Sequence, residues 1–235
     1  MDTTTPRNTP RPSPRTTSNT TMPTLDCRPC TDSPALASAR RMELDISRTS
    51  AIHLGRTAVE AIERGYYEGP DGRPRDWQAL IATAVAQRVS IPPDAPLPDA
   101  MLPAAECARV DATHVETTRV EVANETTMAA SHRLTMAGHR PLALNFANGV
   151  QPGGGFLEGS RAQEEGLCRS SGLYATLTGD AMYAAHRRRP TPDSTDWAIL
   201  SPRVPVFRRD DSASLDAPWL LDVLTCAAPV ASRIG

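Results

Sequence analysis

Glu164 and Glu165 are adjacent acids that follow three consecutive glycines in the stretch "NFANGVQPGGGFLEGSRAQEE". Side-by-side carboxylates can hold vicinal sugar hydroxyls and can serve as acid and base on a glycosidic oxygen. The triglycine, Gly153, Gly154 and Gly155, offers a different chemistry. Without Cβ atoms, it can adopt positive φ and bring backbone N–H groups close to an anion. Asn148 ends the apolar run "PLALNFA", so it falls at the carboxyl end of a strand, where open α/β sheets place their ligands. Strand, glycine loop and helix N-terminus together make a general phosphate cradle. Taken singly, each feature has a plain structural explanation: a floppy turn, acids complementing a helix macrodipole, an asparagine in a loop. Together they raise a question, because a phosphate cradle has no use for two carboxylates facing its own anion. The acids therefore point to another part of the ligand, and a sugar is the candidate.

The elements that must position these residues follow from periodicity. Residues 47–64 place Ile52, Val59 and Ile62, with Ala51, Leu54 and Ala58, on one stripe of helical period, and Gly65 is the stop. "YYEGPDGRP" reads as a loop, 76–88 as a second helix and 91–104 as a proline-rich connector. Residues 115–123 alternate like a half-exposed strand, and 125–137 read as a helix stopped by Gly138. The run 141–147 is a compact apolar strand, expected to be buried on both faces. Ser160 and Gln163 have the spacing of a capping box, which predicts a helix over 160–178 with both glutamates in its first turn. Successive helical residues point about 100° apart, so the two acids are expected to have unequal tasks. Strands at 197–207 and 219–226 complete an alternating pattern, and the class is α/β.

Composition narrows the partners. The chain of 235 residues has a formal charge of −2, which argues against a basic nucleic-acid surface. All 25 basic residues are arginine and they are scattered. Five cysteines without regular spacing do not make a secreted disulfide framework, and Cys27 and Cys30 form a lone CxxC read as chance. His53, His114, His132, His139 and His186 include no i,i+4 pair, so no metal is expected. No apolar run reaches the roughly 18 residues of a membrane helix, which makes a cytoplasmic protein the expectation. Residues 1–41, rich in Pro, Thr, Arg and Ser, are expected to be a disordered tail, with Met42 standing where ordered sequence begins. The acid-free start has some likeness to a transit peptide but shows no amphipathic face.

The triglycine, a seven-residue spacer and "QEE" resemble the signature of the poly(ADP-ribose) glycohydrolases. "AQEEGLCRSSGLY", "SPRVPVF", "VEVANETTMAA" and the helix at 47–64 are similar to the microbial type, over roughly residues 47–228. The resemblance implies a macrodomain-like three-layer α/β/α fold with a mixed sheet. Its implied divisions are a helical accessory region at 42–110 and a catalytic domain at 111–235. It implies that Asn148 holds the terminal ribose, that Gly153–Gly155 pass close to that ribose and the diphosphate, and that Gln163 supports the loop. Glu164 would then orient ribose hydroxyls and Glu165 would be the catalytic acid. The implied substrate is poly(ADP-ribose) or ADP-ribosylated protein, cleaved at ribose–ribose bonds by a monomer without cofactor or metal.

A general acid must hold its proton near neutral pH, against the pull of a helix N-terminus; burial, a neighbouring carboxylate and a diphosphate all push that way. The resemblance also implies that the chain stops short of the family's last strand, second glycine-rich loop, closing helix and ribose-positioning aromatic. Weak or absent cleavage is therefore expected, and an ADP-ribose-binding module without hydrolysis, or an enzyme acting on mono-ADP-ribosylated targets, stays open.

Overall fold

The computed structural model describes residues 26–28, 33–95, 119–190 and 194–229. The expected tail up to residue 25, Cys30, the connector beyond residue 95, Cys107, His114 and the start of the 115–123 strand lie outside the described residues. The chain divides into two compact units. In one, residues 1–29 with 102–122, β1 (Asp26–Arg28) pairs in parallel with β5 (Arg119–Glu121).

The other unit, residues 30–101 with 123–235, carries the site. It begins with α1 (Pro34–Leu44) and α2 (Arg48–Arg64). The Ser47 hydroxyl caps α2 by accepting the Ser50 amide, and Gly65 closes it at φ 76°, as its sequence predicts. The buried face of α2 is made of small residues, Ala51, Gly55, Ala58 and Ala61, while Ile52, Val59 and Ile62 are only half-buried. Close approach is the reason: a Cβ on Gly55 would sit 2.6 Å from the Phe156 carbonyl oxygen. The helix thus lies directly against the glycine loop. The expected loop after α2 is instead a hairpin of β2 (Tyr66–Glu68) and β3 (Pro74–Asp76). Its Tyr67 joins Trp77 and Phe207 in an aromatic cluster with ring centroids 4.7–5.4 Å apart.

The elements that follow are α3 (Gln78–Gln87), β4 (Val89–Ile91), α4 (Thr127–Met136), β6 (Leu142–Ala147), α5 (Gln163–Ser170), α6 (Leu173–Leu177), α7 (Ala181–Arg187), β7 (Ala198–Arg208) and β8 (Ser214–Ala227). The sheet runs β4-β7-β8-β6, with β6 parallel to β8 and the other pairs antiparallel. The class is α/β with a mixed sheet. Leu167, Leu173, Met182, Ile199, Val206 and Val223 lie in its main core.

Three further expectations need correction. The disordered tail does not extend to residue 41, because residues 34–41 belong to α1 and 26–28 form β1. β6 is not buried on both faces. It alternates, with Ala143, Asn145 and Ala147 inside and Leu142, Leu144 and Phe146 exposed. A run of Leu and Phe reads as doubly buried because composition cannot report which face a second layer covers. The helix expected over 160–178 is also two helices. The chain breaks at Ser171, which bridges to Val206 at the edge of β7, and Gly172 donates its amide to the Pro205 carbonyl at 2.9 Å. Strand pairing there outcompetes helix continuation.

Candidate active site

The loop between β6 and α5 is built around the two acids. Glu164 Oε2 accepts the amide of Asn148 at 2.7 Å, and Glu165 Oε1 accepts the amide of Gly155 at 3.0 Å. The pair therefore grips the two ends of one loop, consistent with side chains that diverge from adjacent helical positions. Gly154 lies between them at φ 57°, and a Cβ there would stand 2.4 Å from Glu165 Oε1 and 3.0 Å from Glu164 Oε2. Only glycine fits that conformation and that space. The amides of Asn148 and Gly155 are thus turned toward the protein's own carboxylates.

The expected capping box does not form. The N-cap of α5 is Ala162, without a side-chain hydrogen bond. Gln163 instead turns to the sheet, where its Oε1 accepts the Phe146 amide at 2.9 Å and its Nε2 donates to the Leu144 carbonyl at 2.6 Å and to Thr127 Oγ1 at 3.1 Å. The Ser160 carbonyl accepts from Arg169 Nη1 at 2.6 Å.

Both acids are buried, Glu164 at 3 % exposure and Glu165 at 8 %, and each keeps one oxygen, Glu164 Oε1 and Glu165 Oε2, without a hydrogen-bond partner among the described residues. Burial pushes the Glu164 pKa up to about 7, against the Asn148 amide and the Asn145 side chain, which favour the charged form. At neutral pH Glu164 is therefore a mixture of acid and carboxylate. Unpaired buried carboxyl oxygens cost several kcal/mol unless a ligand, water or proton meets them, and such sites are where function concentrates.

Sequence reading missed two supports. Asn145, fully buried, donates from Nδ2 to Thr225 Oγ1 at 3.2 Å and bears on Glu164 from below. A lone polar residue inside "LALNFA" was the available signal. His186, read as scattered, is buried behind the Asn148 loop. His53, His132 and His139 are exposed. Among the described residues no group of three His, Cys, Asp or Glu side chains could hold a metal ion, and no helix is long and apolar enough to cross a membrane.

A cleft of about 670 Å³ opens between α1, α4 and the β7–β8 hairpin, lined by His132, Arg208 and Trp219 among others. A second, of about 360 Å³, runs along the face of α5 that carries Gln163, Gly166 and Ser170. Neither has Glu164 or Glu165 in its wall. The acids and the loop, rather than the larger volume, mark the candidate site, because that is where unpaired ionisable groups converge.

Residues 55–209 match the family described as microbial-type PARG, catalytic domain. No curated protein matches the chain. Among solved structures, the chain is similar to a poly(ADP-ribose) glycohydrolase from Thermomonospora curvata bound to the inhibitor ADP-HPD. The identity is 41 % and the TM-score 0.67, covering 80 % of this chain and 66 % of that one. A second crystal structure of the poly(ADP-ribose) glycohydrolase from Thermomonospora curvata gives 41 % and 0.67 over 77 % and 65 %. The poly(ADP-ribose) glycohydrolase from Deinococcus radiodurans in complex with ADP-ribose gives 35 % and 0.52 over 65 % and 58 %. The chain thus spans just under two thirds of the length of the first of these structures.

Proposed function

The chain belongs to the family of microbial-type PARG catalytic domains, and from that premise we propose that it hydrolyses the ribose–ribose O-glycosidic bond of poly(ADP-ribose), releasing ADP-ribose. The observation that carries the reading is the pair of buried carboxyl oxygens, Glu164 Oε1 and Glu165 Oε2, left without partners among the described residues beside the loop that begins at Asn148. They match the needs of a sugar held by its hydroxyls and protonated at its bridging oxygen.

In this reading Asn148 and the loop Gly153–Gly155 receive the terminal ribose, and Glu164 exchanges hydrogen bonds with its hydroxyls. Its pKa of about 7 suits a group that both donates and accepts. Glu165 gives its proton to the leaving oxygen as the bond to the anomeric carbon breaks. The carboxylate then takes a proton from the water that attacks the oxocarbenium-like carbon, which restores the acid. Gln163 fixes the strand beneath the loop. A second reading exchanges the roles of the acids, and the raised pKa of Glu164 is the observation that favours it. Substrate is polymer or ADP-ribosylated protein, and the protein acts as a cytoplasmic monomer.

Incubation of the purified protein with poly(ADP-ribose), followed by chromatography for free ADP-ribose, tests the proposal. Tight binding of polymer with no release would leave an ADP-ribose-binding module in its place. Loss of release in Glu164→Gln with retention in Glu165→Gln would reverse the assignment of the acids.

A further inference from the structure

We propose that His186 and Arg187, at the end of α7, are positioning residues that clamp the Asn148 loop in its ribose-receiving shape. The role toward ribose rests on the functional reading above, whereas the clamp itself rests on hydrogen bonds. The Gly149 carbonyl meets His186 Nδ1 at 3.0 Å, and the Val150 carbonyl accepts from Arg187 Nη1 at 2.6 Å. A carbonyl can only accept, so Nδ1 carries a hydrogen, and Nε2 shares a 2.8 Å hydrogen bond with Thr195 Oγ1, a hydroxyl that can donate or accept. That pair of partners holds the orientation of a ring that is only 5 % exposed.

The loop is held from its other side as well. Asn148 Oδ1 accepts the amides of Val150 and Gln151 at 2.9 and 3.0 Å, and the Asn148 amide goes to Glu164. There is no slack between loop and clamp, because a Cβ on Gly149 would stand 3.2 Å from His186 Nδ1 and 3.3 Å from the Ala227 Cβ. The clamp has a fixed base. Asp180 caps α7 by accepting the Met182 amide at 2.8 Å and also accepts the Ser90 hydroxyl at 3.1 Å. Ser90 Oγ in turn accepts the Trp197 indole N–H at 2.8 Å, and the Trp197 amide donates to Thr195 Oγ1. The edge strand β4 and the start of β7 therefore anchor both ends of the helix that holds the loop. A loop ordered in advance spares the ligand the cost of ordering it.

Two readouts on the whole chain test this: hydrogen exchange at the Val150 and Gln151 amides without ligand, and the dissociation constant for ADP-ribose by calorimetry. His186→Ala is expected to speed exchange at both amides and to weaken ADP-ribose about 10- to 100-fold, the scale of a misplaced positioning group. His186→Asn should restore both, because its Nδ2 places a donor where Nδ1 stood. Arg187→Met, at an exposed position, should move both readouts the same way with the unfolding midpoint unchanged, and it carries the test if His186→Ala does not fold. Unchanged exchange in the variants, or faster exchange with unaltered affinity, would overturn the proposal. Failure of the wild-type chain to bind ADP-ribose would overturn the reading of the site and with it the ribose role, while the exchange data alone would still decide whether the clamp orders the loop.

Discussion

Glu165 and Gly155 are joined by a 3.0 Å hydrogen bond from the glycine amide to Oε1, which leaves Oε2, the other oxygen of the same carboxyl, buried and without a partner among the described residues. Glu165→Gln keeps an acceptor for the Gly155 amide and removes only the transferable proton. Release of ADP-ribose from polymer is expected to fall about 10²–10⁴-fold, the usual contribution of a general acid. ADP-ribose affinity should stay within a few-fold of wild type. Turnover near the wild-type rate, measured under single-turnover conditions, would remove Glu165 from the proposed role.

Glu164 makes stability depend on pH in an unusual direction for a carboxylate. Its folded pKa, about 7, lies above the ordinary 4.5, so the folded state binds the proton more tightly than the unfolded chain. The linked stability is fully present below pH 4.5 and is lost as pH rises through 7, amounting to roughly 3 kcal/mol. Glu164→Gln cannot titrate. Chemical denaturation at pH 5 and pH 8 should therefore show the wild type losing ground to the variant at the higher pH. Parallel pH dependence of the two proteins would contradict the burial-driven shift.

Gly154→Ala is expected to damage the site in two ways at once. The new methyl would meet Glu165 Oε1 at 2.4 Å, and the backbone would hold φ 57°, where a side chain is strained. The strain alone costs about 1 kcal/mol. The displaced carboxyl should lower ADP-ribose release well beyond what that loss of stability explains. Comparison of the melting temperature with the rate on polymer separates the two effects.

Arg208 is a buried guanidinium that works as a brace. It donates from Nη1 to the carbonyls of Arg169 at 2.7 Å and Leu54 at 3.1 Å, and from Nη2 to Thr57 Oγ1 at 3.1 Å. Burial, with the nearby Arg169 charge, pulls its pKa down to about 10. Arg208→Met should take this donor from the Arg169 carbonyl, while Leu54 keeps the Thr57 hydroxyl, and destabilise the protein by about 1–3 kcal/mol, read from the denaturation midpoint. A cost below 0.5 kcal/mol would mean that the brace between β7, α2 and α5 is dispensable.

The parts of the site legible in the sequence were those with local causes. Gly65 ends α2 as expected, because capping is decided within a few residues. The clustering of Glu164 and Glu165 against the glycine loop could be read from spacing, since the helix that begins at Gln163 has nowhere else to aim its first turn. What stayed hidden depends on partners distant in the chain. Gln163 has the spacing of a capping residue, yet two backbone groups of β6 win it from Ser160. Asn145 looked like one more residue of an apolar strand until Thr225 and Glu164 converged on it. His186 carries no motif at all, and its position behind Gly149 is set by the whole sheet. The hairpin at 66–76 escaped notice because its strands are three residues each, too short for alternation to register.

The bonds from Gln163 to Leu144 and Phe146 have one more consequence. On the open side of β6, the side-chain amide reproduces what a residue of a parallel strand opposite Asn145 would do, accepting one N–H and donating to one carbonyl two residues apart. A foreign strand finds that segment already occupied, which guards an exposed edge against intermolecular pairing. The same two bonds tie the acid-bearing helix to the strand that leads into Asn148, so the carboxyls of Glu164 and Glu165 and the start of the loop share one support.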